Sequence, residues 1–463
     1  MINGIRQDEV AAIKDKRWQL DFNLMKLVKN DSSHCIEGPG YIRIEPDGRM
    51  LFKLYPTNPL DNEQYFKWYN ERFVKLIPHE KCYNLKATDV YNRTWEAINV
   101  LPAGDLFSSG IIPAVTGNIH GYLKGYSQSP YKHAHGQLSF RCFEKYDFPF
   151  NLGTDKYDDE DGKPVKIGGS LDTAKFSIND LDFFLRNKDE QFFVTITSKI
   201  PTIPSIIETR AIEALQFLLG HAIDWRVLEK HENGVECITI KCFPPVVGAI
   251  YPPIKYRGPK EADYWQLYTR YFEYICRNKD EKNWHPISIF IHRILEAKKA
   301  SIEIQCLAIS VMVEGLLRTE FGDLAKPPDD LLNWVDKVEV SLVQSGTPPE
   351  IAKRMARVVE SMKTPRPSDQ LQDLLMKELI TEKEKITWTK LRNSSTHPER
   401  AFFENFEEAV DAFDTVLTLF YKLIFYLIGY SGKYTDYGTP DMHDAVFPPK
   451  SDSGLLEGSE KTT

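Results

Sequence analysis

The spacing of hydrophobic residues changes near the middle of the chain. From about residue 18 to residue 253, apolar and polar residues alternate in segments such as LDFNLM and QFFVTITS, which is typical of strands with one buried face. Pro46-Asp47-Gly48 and Asn233-Gly234 lie between pairs of such segments and predict antiparallel hairpins. We therefore expect residues 1–255 to form a mostly antiparallel β domain, sandwich-like or barrel-like, with the segment ETRAIEALQFLLGHAI packed against it as a helix.

From about residue 260 the apolar residues follow the 3.6-residue period of an α-helix. The last such segment carries one continuous apolar stripe, made of Phe402, Phe406, Val410, Phe413, Leu417, Phe420 and Ile424. We predict an all-α, antiparallel helical bundle over residues 256–431. The Gly/Ser/Pro/Asp-rich sequence that follows predicts a flexible tail over residues 432–463. The expected fold class is α+β.

Composition narrows the class of protein. The chain has 463 residues, of which 42% are hydrophobic, and a net charge of −8, so it can build cores and is not a globally basic nucleic-acid binder. Its seven cysteines form no CxxC motif, which indicates reduced structural thiols. The N-terminus is charged, and Lys422 interrupts the longest apolar run. We expect a soluble, cytoplasmic protein with no membrane partner.

The stretch KLRNSSTHPER, residues 390–400, places an arginine, an asparagine and a histidine in one polar run between two helical segments. Asn393 and the three hydroxyl residues after it compete with helical hydrogen bonds, and Pro398 disfavours helical geometry at His397. We therefore expect the helix to end near Asn393 and a turn to bring His397 back toward Arg392. If the helix continued instead, five positions would separate the two side chains by about 140° around its axis.

A converged arginine and histidine suit RNA cleavage that needs no metal ion. A guanidinium binds phosphate oxygens, and an imidazole transfers protons near neutral pH. The 2′-hydroxyl would attack the adjacent phosphorus while His397 moves a proton and Arg392 stabilises the charge on the phosphorane. The products would be a 2′,3′-cyclic phosphate and a 5′-hydroxyl. A two-fold dimer would supply a second histidine.

The bare Arg–His spacing is weak, because about one match is expected by chance. A second match, Arg226 and His231, lies in a predicted hairpin of the β domain, where surface strand residues are the simpler interpretation. The segment LRNSSTH, in contrast, resembles the Arg-Asn-x-x-x-His signature of HEPN domains, and its helical context covers about residues 260–430. A β-rich N-terminal region followed by such a bundle is similar in layout to the ApeA-like HEPN proteins of bacterial anti-phage defence.

The resemblance implies a metal-independent HEPN endoribonuclease of the defence, abortive-infection or toxin type. It implies catalytic roles for Arg392 and His397 and a supporting role for Asn393. The implied partners are RNA, with tRNA among the candidates, a second copy bound through the helical domain, and a phage-derived trigger at a sensing or regulatory β domain. No cofactor or metal ion is implied.

Other polar features are weaker candidates. His133 and His135 share a face of a predicted strand but lack an acidic or cysteine partner, so surface histidines are the simpler interpretation. The acidic stretch DKYDDEDGKP lacks the oxygen spacing of a calcium loop and predicts a solvated hairpin. Glu314, in the helical segment ISVMVEGLL, either supports an active site in the bundle or is an ordinary glutamate that is paired or faces solvent.

Two alternative functions stay open. The helical bundle could bind a nucleotide, RNA or protein without cleaving it, in which case His397 would be replaceable. The β domain could instead be a recognition module, for carbohydrate or peptide, with the helices as a dimerisation platform.

Overall fold

The computed structural model describes residues 5–448, apart from residues 33, 59–81, 105–113, 129–134, 152–156, 159–163, 166–172, 244–247, 256–260, 279, 281–282 and 397–402. The chain divides into two compact units. The β unit contains Met1–Glu208 and Ile223–Val246, and the helical unit contains Thr209–Ala222 and Val247–Thr463. An antiparallel β region and a separate helical region confirm the predicted α+β class.

The β unit begins with a short helix, α1 (Gln7–Lys14), and continues almost entirely as strands. These are β1 (Gln19–Lys29), β2 (Cys35–Ile44), β3 (Met50–Leu54), β4 (Tyr83–Thr88), β5 (Thr94–Gly104), β6 (Val115–Ile119), β7 (Tyr122–Gln128), β8 (Gln137–Cys142), β9 (Tyr157–Asp158), β10 (Pro164–Val165), β11 (Thr173–Ile178), β12 (Leu181–Lys188), β13 (Gln191–Ser198), β14 (Trp225–Glu232) and β15 (Val235–Lys241).

Six strands close into an antiparallel barrel in the order β5-β4-β1-β2-β3-β6, because β6 pairs again with β5. The sheet continues from β5 through β7, β15, β14, β8, β13 and β12 to β11. Alternating residues of the barrel strands fill its core, as the two-residue period predicts. Gly125 in β7 leaves room for the Trp95 indole, since a Cβ there would lie 2.9 Å from the ring.

The helical unit contains most of α2 (Ser205–Leu219), followed by nine further helices and one hairpin of strands among the described residues. The helices are α3 (Glu261–Cys276), α4 (Pro286–Ala297), α5 (Ile302–Glu320), α6 (Asp329–Gln344), α7 (Pro349–Glu360), the 3₁₀ turn Ser361–Lys363, α8 (Pro367–Met376), α9 (Glu382–Thr396) and α10 (Phe406–Ile428), and the strands are β16 (Gly432–Thr435) and β17 (Asp444–Phe447).

The bundle is centred on α5, which packs against α4, α9 and α10. Cys306 contacts the Ala409 carbonyl near one end of α5, and Phe321 stacks on Tyr426 just beyond the other end, so α5 and α10 run side by side in the same direction. Their shared interior is apolar. It includes Ile309, Val313, Leu316, Val416, Leu417 and Phe420, all fully buried.

The structure corrects the predicted boundary at residues 255 and 256. Most of α2, predicted as part of the β domain, belongs to the helical unit. Arg210 on α2 is fully buried, pairs with Glu213 and donates to the carbonyls of Asn278 and Asp280. Phe217 stacks on Tyr271 of α3, with ring centroids 4.2 Å apart. Sequence spacing alone does not reveal the contacts of α2 with Asn278, Asp280 and Tyr271, which lie 54 to 70 residues away.

The predicted flexible tail over residues 432–463 is also corrected in part. β16 and β17 pair, and Tyr434, Tyr437 and Phe447 are buried. The Tyr437 hydroxyl donates to the Pro252 carbonyl at 2.7 Å, and the Phe447 ring lies 5.6 Å from that of Phe425. These aromatic anchors overcome the polar composition of the segment. Residues 449–463 lie outside the described part of the chain.

Candidate functional site

Helix α9 carries Arg392 and Asn393 in its last turns. The helix continues to Thr396, three residues beyond its predicted end near Asn393. Trp388 and Leu391 are buried just before this end, and such packing outweighs the weak helix propensity of Asn, Ser and Thr. The turn predicted to follow Asn393 is therefore absent over the described residues. His397 lies outside them, so its convergence with Arg392 stays a prediction.

Arg392 is bound to a carboxylate of the central helix. Its Nε donates to Oε2 of Glu314 on α5 at 2.9 Å. The other carboxylate oxygen, Oε1, accepts from Nε and Nη2 of Arg318 at 3.0 and 2.7 Å. Two guanidinium groups therefore share one carboxylate. We call Glu314, Arg318 and Arg392 the arginine cluster.

The electrostatics of the arginine cluster favour an ionised Glu314. The hydrogen bond from Arg392 lowers the pKa of the Glu314 carboxyl, and Arg318 adds to the effect. With the carboxylate charged, the cluster keeps a net charge of +1. Of the two side chains that meet, Arg392 is 42% exposed and Glu314 is 22% exposed, so solvent reaches the pair. An anion could approach the cluster from outside.

Among the described residues, the arginine cluster lies on the side of α5 that does not face the bundle. The side of α5 that faces the bundle is fully buried, whereas Ile304 and Val311 on the opposite side are about half-exposed. Ile304, Val311, Glu314 and Arg318 follow each other at helical spacing along this outer stripe. The Trp388 indole Nε1 donates to the Ser310 carbonyl at 3.1 Å, which attaches α9 beside the stripe.

The sequence between residues 381 and 400 has five basic and three acidic residues, a net charge of +2, and the fold changes which of them face solvent. Glu384 does not oppose the surface bases, because it is buried and pairs with Lys422 of α10 at 2.7 Å. Lys383 donates to the Gly438 carbonyl, and Lys385 donates to Gln372 of α8. Asn393 is exposed beside Arg392. Among the described side chains, the surface near the start of α9 is therefore more basic than the count suggests.

Arg226 and His231, the second arginine–histidine pair with the motif spacing, stabilise the β unit. Arg226 and His231 lie in β14 as predicted, but both are buried, so the interpretation as surface residues is wrong in exposure. The Arg226 guanidinium lies 3.9 Å from the centre of the Phe243 ring and donates to the Cys242 carbonyl. The His231 Nδ1 lies 3.6 Å from a Glu236 oxygen. Arg226 and His231 therefore contact different residues, and each side chain has a separate packing role.

The remaining candidates are described only in part. His135 is exposed, and His133 lies outside the described residues. Tyr157–Asp158 pairs with Pro164–Val165, so the backbone of the acidic stretch forms a hairpin where it is described. Over the described part of the chain, no group of three His, Cys, Asp or Glu residues is arranged to hold a metal ion. All seven cysteines are free thiols.

Glu314 was identified from the sequence as a candidate site residue, whereas Arg318 was not. The interpretation of Glu314 as a paired glutamate is correct. Its partner Arg318 could have been found, because Glu314 and Arg318 are four positions apart on one helix, in the favourable order for an ion pair. The pairing with Arg392 had no signal, since 78 residues separate the two partners.

Comparisons with family models, with curated proteins and with solved structures find no match for this chain. The HEPN resemblance of residues 392–397 therefore stays a prediction. Where the helices are described, none combines the length and the apolar character required to cross a lipid bilayer.

Proposed function

We propose that this protein is a metal-independent HEPN-type endoribonuclease, active in a defence or toxin role. The observation that supports the proposal is the exposed arginine cluster, which places Arg392 of the Arg-Asn-x-x-x-His motif beside Arg318. Two neighbouring guanidinium groups that are both partly exposed form a good binding surface for the phosphates of a flexible RNA strand.

In the proposed reaction, Arg392 binds a non-bridging oxygen of the scissile phosphate. The 2′-hydroxyl attacks the phosphorus, and the 5′-oxygen of the next nucleotide leaves. His397 transfers a proton to or from one of these oxygens, while the guanidinium stabilises the extra charge on the phosphorane. The hydrogen bond from the Arg392 Nε to Glu314 fixes the orientation of the guanidinium group, and the Nη atoms of Arg392 then contact the phosphate.

This chemistry calls for a base and an acid, and each chain contributes one histidine of the motif. We therefore propose a homodimer through the helical unit, with two copies of the motif acting on one strand. The β unit would sense a trigger or restrain the nuclease. This last role rests on the family resemblance alone, because β domains serve many functions.

A non-catalytic binding module is the second candidate. It is favoured by the ion pair itself, because Arg392 already has an anionic partner within its own chain. In this case the cluster would bind RNA or another phosphate ligand, and replacement of His397 would leave function unchanged.

The deciding experiment compares purified wild type with His397→Ala on total RNA in the presence of EDTA. We expect wild type to give fragments ending in 2′,3′-cyclic phosphate, and the variant to cleave about 10²- to 10⁴-fold more slowly. His443→Ala is the matched control, because His443 is an exposed histidine whose Nδ1 pairs with Asp441. Equal cleavage by wild type and His397→Ala would exclude His397 as a catalytic residue and with it the HEPN-type nuclease, whereas no cleavage by either protein would favour the binding module.

A further inference from the structure

Helices α6 and α7 form an arm that is only loosely joined to the bundle. Among the described elements they pack mainly on each other and on the short turn Ser361–Lys363. Among their described side chains, Val335 of α6 and Val359 of α7 are buried, which places these residues at the seam between the two helices. Prolines flank the arm on both sides, at Pro327-Pro328 and at Pro365 and Pro367, and a cleft of about 430 Å³ lies at its base. We call α6, α7 and their connection the helical arm.

The helical arm exposes large apolar side chains on α7. Ile351, Met355 and Val358 are 53%, 45% and 58% exposed, and their spacing of four and three residues places them on one face. On α6, Trp334 is 51% exposed. Isolated apolar residues are ordinary on a protein surface, but an aligned set of four marks a surface that another element covers.

All four side chains lie on the same side of the arm. Trp334 is one position before the buried Val335, and Val358 is one position before the buried Val359. Each is therefore rotated by 100° from the seam between the helices. Because α6 and α7 run in opposite directions, these two rotations point to the same side. The exposed residues form a continuous apolar face across both helices.

We propose that the helical arm is a self-association element, through which two copies of the chain stack their apolar faces about a two-fold axis parallel to the helices. In this arrangement α6 of one copy lies over α7 of the other, antiparallel to it. The Trp334 indole of each copy then covers the segment around Val358 of its partner. The four helices form a small bundle with a common apolar interior.

Charge is the first reason for choosing a second copy as the occupant. Helix α6 carries four acidic residues and one lysine, whereas α7 carries three basic residues and two glutamates. The proposed axis places the acidic helix of one chain against the basic helix of the other. An axis perpendicular to the helices would instead place α6 on α6, where like charges would repel.

Size is the second reason. Helices of 16 and 12 residues are about 24 and 18 Å long, and two of them side by side present a face roughly 20 Å wide. A face of these dimensions measures about 360–480 Å² per copy, which is the size of a small, reversible protein–protein interface. The proposed cleavage also calls for two copies, but the stacking follows from the arm alone and does not depend on catalysis.

Sedimentation equilibrium of the full chain tests this proposal. We expect wild type to be a dimer at micromolar concentration and Ile351→Glu/Met355→Glu to raise the dissociation constant at least about 100-fold, because the stack would bury two new charges in each copy. Val340→Glu is the matched control. Val340 is a 56% exposed residue of α6 on the side away from the apolar face, so this variant should remain dimeric.

A second variant tests the orientation through charge. Arg354→Glu/Arg357→Glu changes only exposed residues of α7 and should weaken the dimer about tenfold at low salt and less at 0.5 M salt. Circular dichroism confirms that each variant is folded. A wild type that is monomeric at about 100 μM, or an Ile351→Glu/Met355→Glu protein that dimerises as well as Val340→Glu, would overturn the proposal.

Discussion

The indole Nε1 of Trp388 donates a hydrogen bond to the Ser310 carbonyl, 3.1 Å away, and so joins the helix that carries Arg392 to the helix that carries Glu314. Trp388 is almost fully buried, with 1% of its surface exposed. The arginine cluster therefore rests on a packed contact, and its two helices keep a defined separation. The position of Arg392 is a property of the bundle and not of a free surface side chain.

Glu314→Gln separates the anchoring role of Glu314 from its charge. We expect RNA to bind more tightly at low salt, because the cluster gains a positive charge. We also expect the single-turnover cleavage rate to fall about 10- to 100-fold, because the loss of a charge-assisted hydrogen bond leaves Arg392 less well oriented. The two effects have opposite signs and are measured by RNA titration and by quenched-flow cleavage.

The control for Glu314→Gln is Glu296→Gln, which neutralises an exposed glutamate on α4. It should change neither the affinity nor the rate by more than about twofold. If Glu314→Gln lowered both affinity and rate in proportion to a loss of folded protein, its role would be one of stability alone.

The buried ion pair between Lys422 and Glu384 fixes the start of α9 on α10. The two side chains are 7% and 5% exposed and 2.7 Å apart, and the Glu384 carboxylate helps to raise the pKa of Lys422 against the effect of burial. Lys422→Met leaves a buried carboxylate without its partner and should destabilise the helical unit by about 3–5 kcal/mol. Urea denaturation followed by circular dichroism measures this loss.

The double variant Lys422→Met/Glu384→Gln removes both charges and should recover part of that stability. Lys326→Met, which disrupts an exposed pair with Asp323, should cost no more than about 1 kcal/mol. If Lys422→Met lowered the free energy of unfolding as little as Lys326→Met does, the Lys422–Glu384 pair would not have the stabilising role assigned to it.

Asp414 gives the helical unit a pH-dependent weakness. Burial raises the pKa of its carboxyl from 3.8 to about 6, opposed by Lys298 and assisted by Asp411. The folded state therefore holds this proton more strongly than the unfolded state, and the stability it contributes is lost as pH rises from about 4 to about 6. We expect the Tm of Asp414→Asn relative to wild type to be about 5–10 °C higher at pH 7.5 than at pH 4.

Thermal unfolding at both pH values tests this expectation, with the exposed Asp444→Asn as control. The control should show the same difference from wild type at each pH. A constant difference for Asp414→Asn as well would mean that its carboxyl titrates normally in the folded protein.

The sequence predicted the two architectures well, because each depends on local periodicity. Alternating residues in β13 and β8 and the helical stripe of α10 are visible without partners. The assignment of α2 was out of reach, because it depends on carbonyl groups near Asn278 that bind Arg210. The end of α9 was misplaced because buried Trp388 and Leu391 outweigh the polar residues that follow them.

In the arginine cluster, too, the residues with a local sequence signal could be predicted and the contacts that depend on tertiary packing could not. Arg392 and Asn393 stand in a motif of adjacent residues, so they could be selected from sequence. Glu314 was selected only as an ambiguous polar residue in an apolar helix, because its pairing with Arg392 depends on how α5 and α9 pack. Arg318 was overlooked, although its spacing from Glu314 carried a usable signal.

The assignment of α2 has a practical consequence for anyone who dissects this protein. The polypeptide enters the helical unit at Thr209, returns to the β unit at Ile223 and leaves it again after Val246. A fragment ending near residue 255 would retain a helix whose packing partners had been removed, and a fragment starting there would leave the Tyr271 ring without Phe217. Truncation at one peptide bond therefore damages both products, and point substitutions in the intact polypeptide are the sounder way to assign activities to its parts.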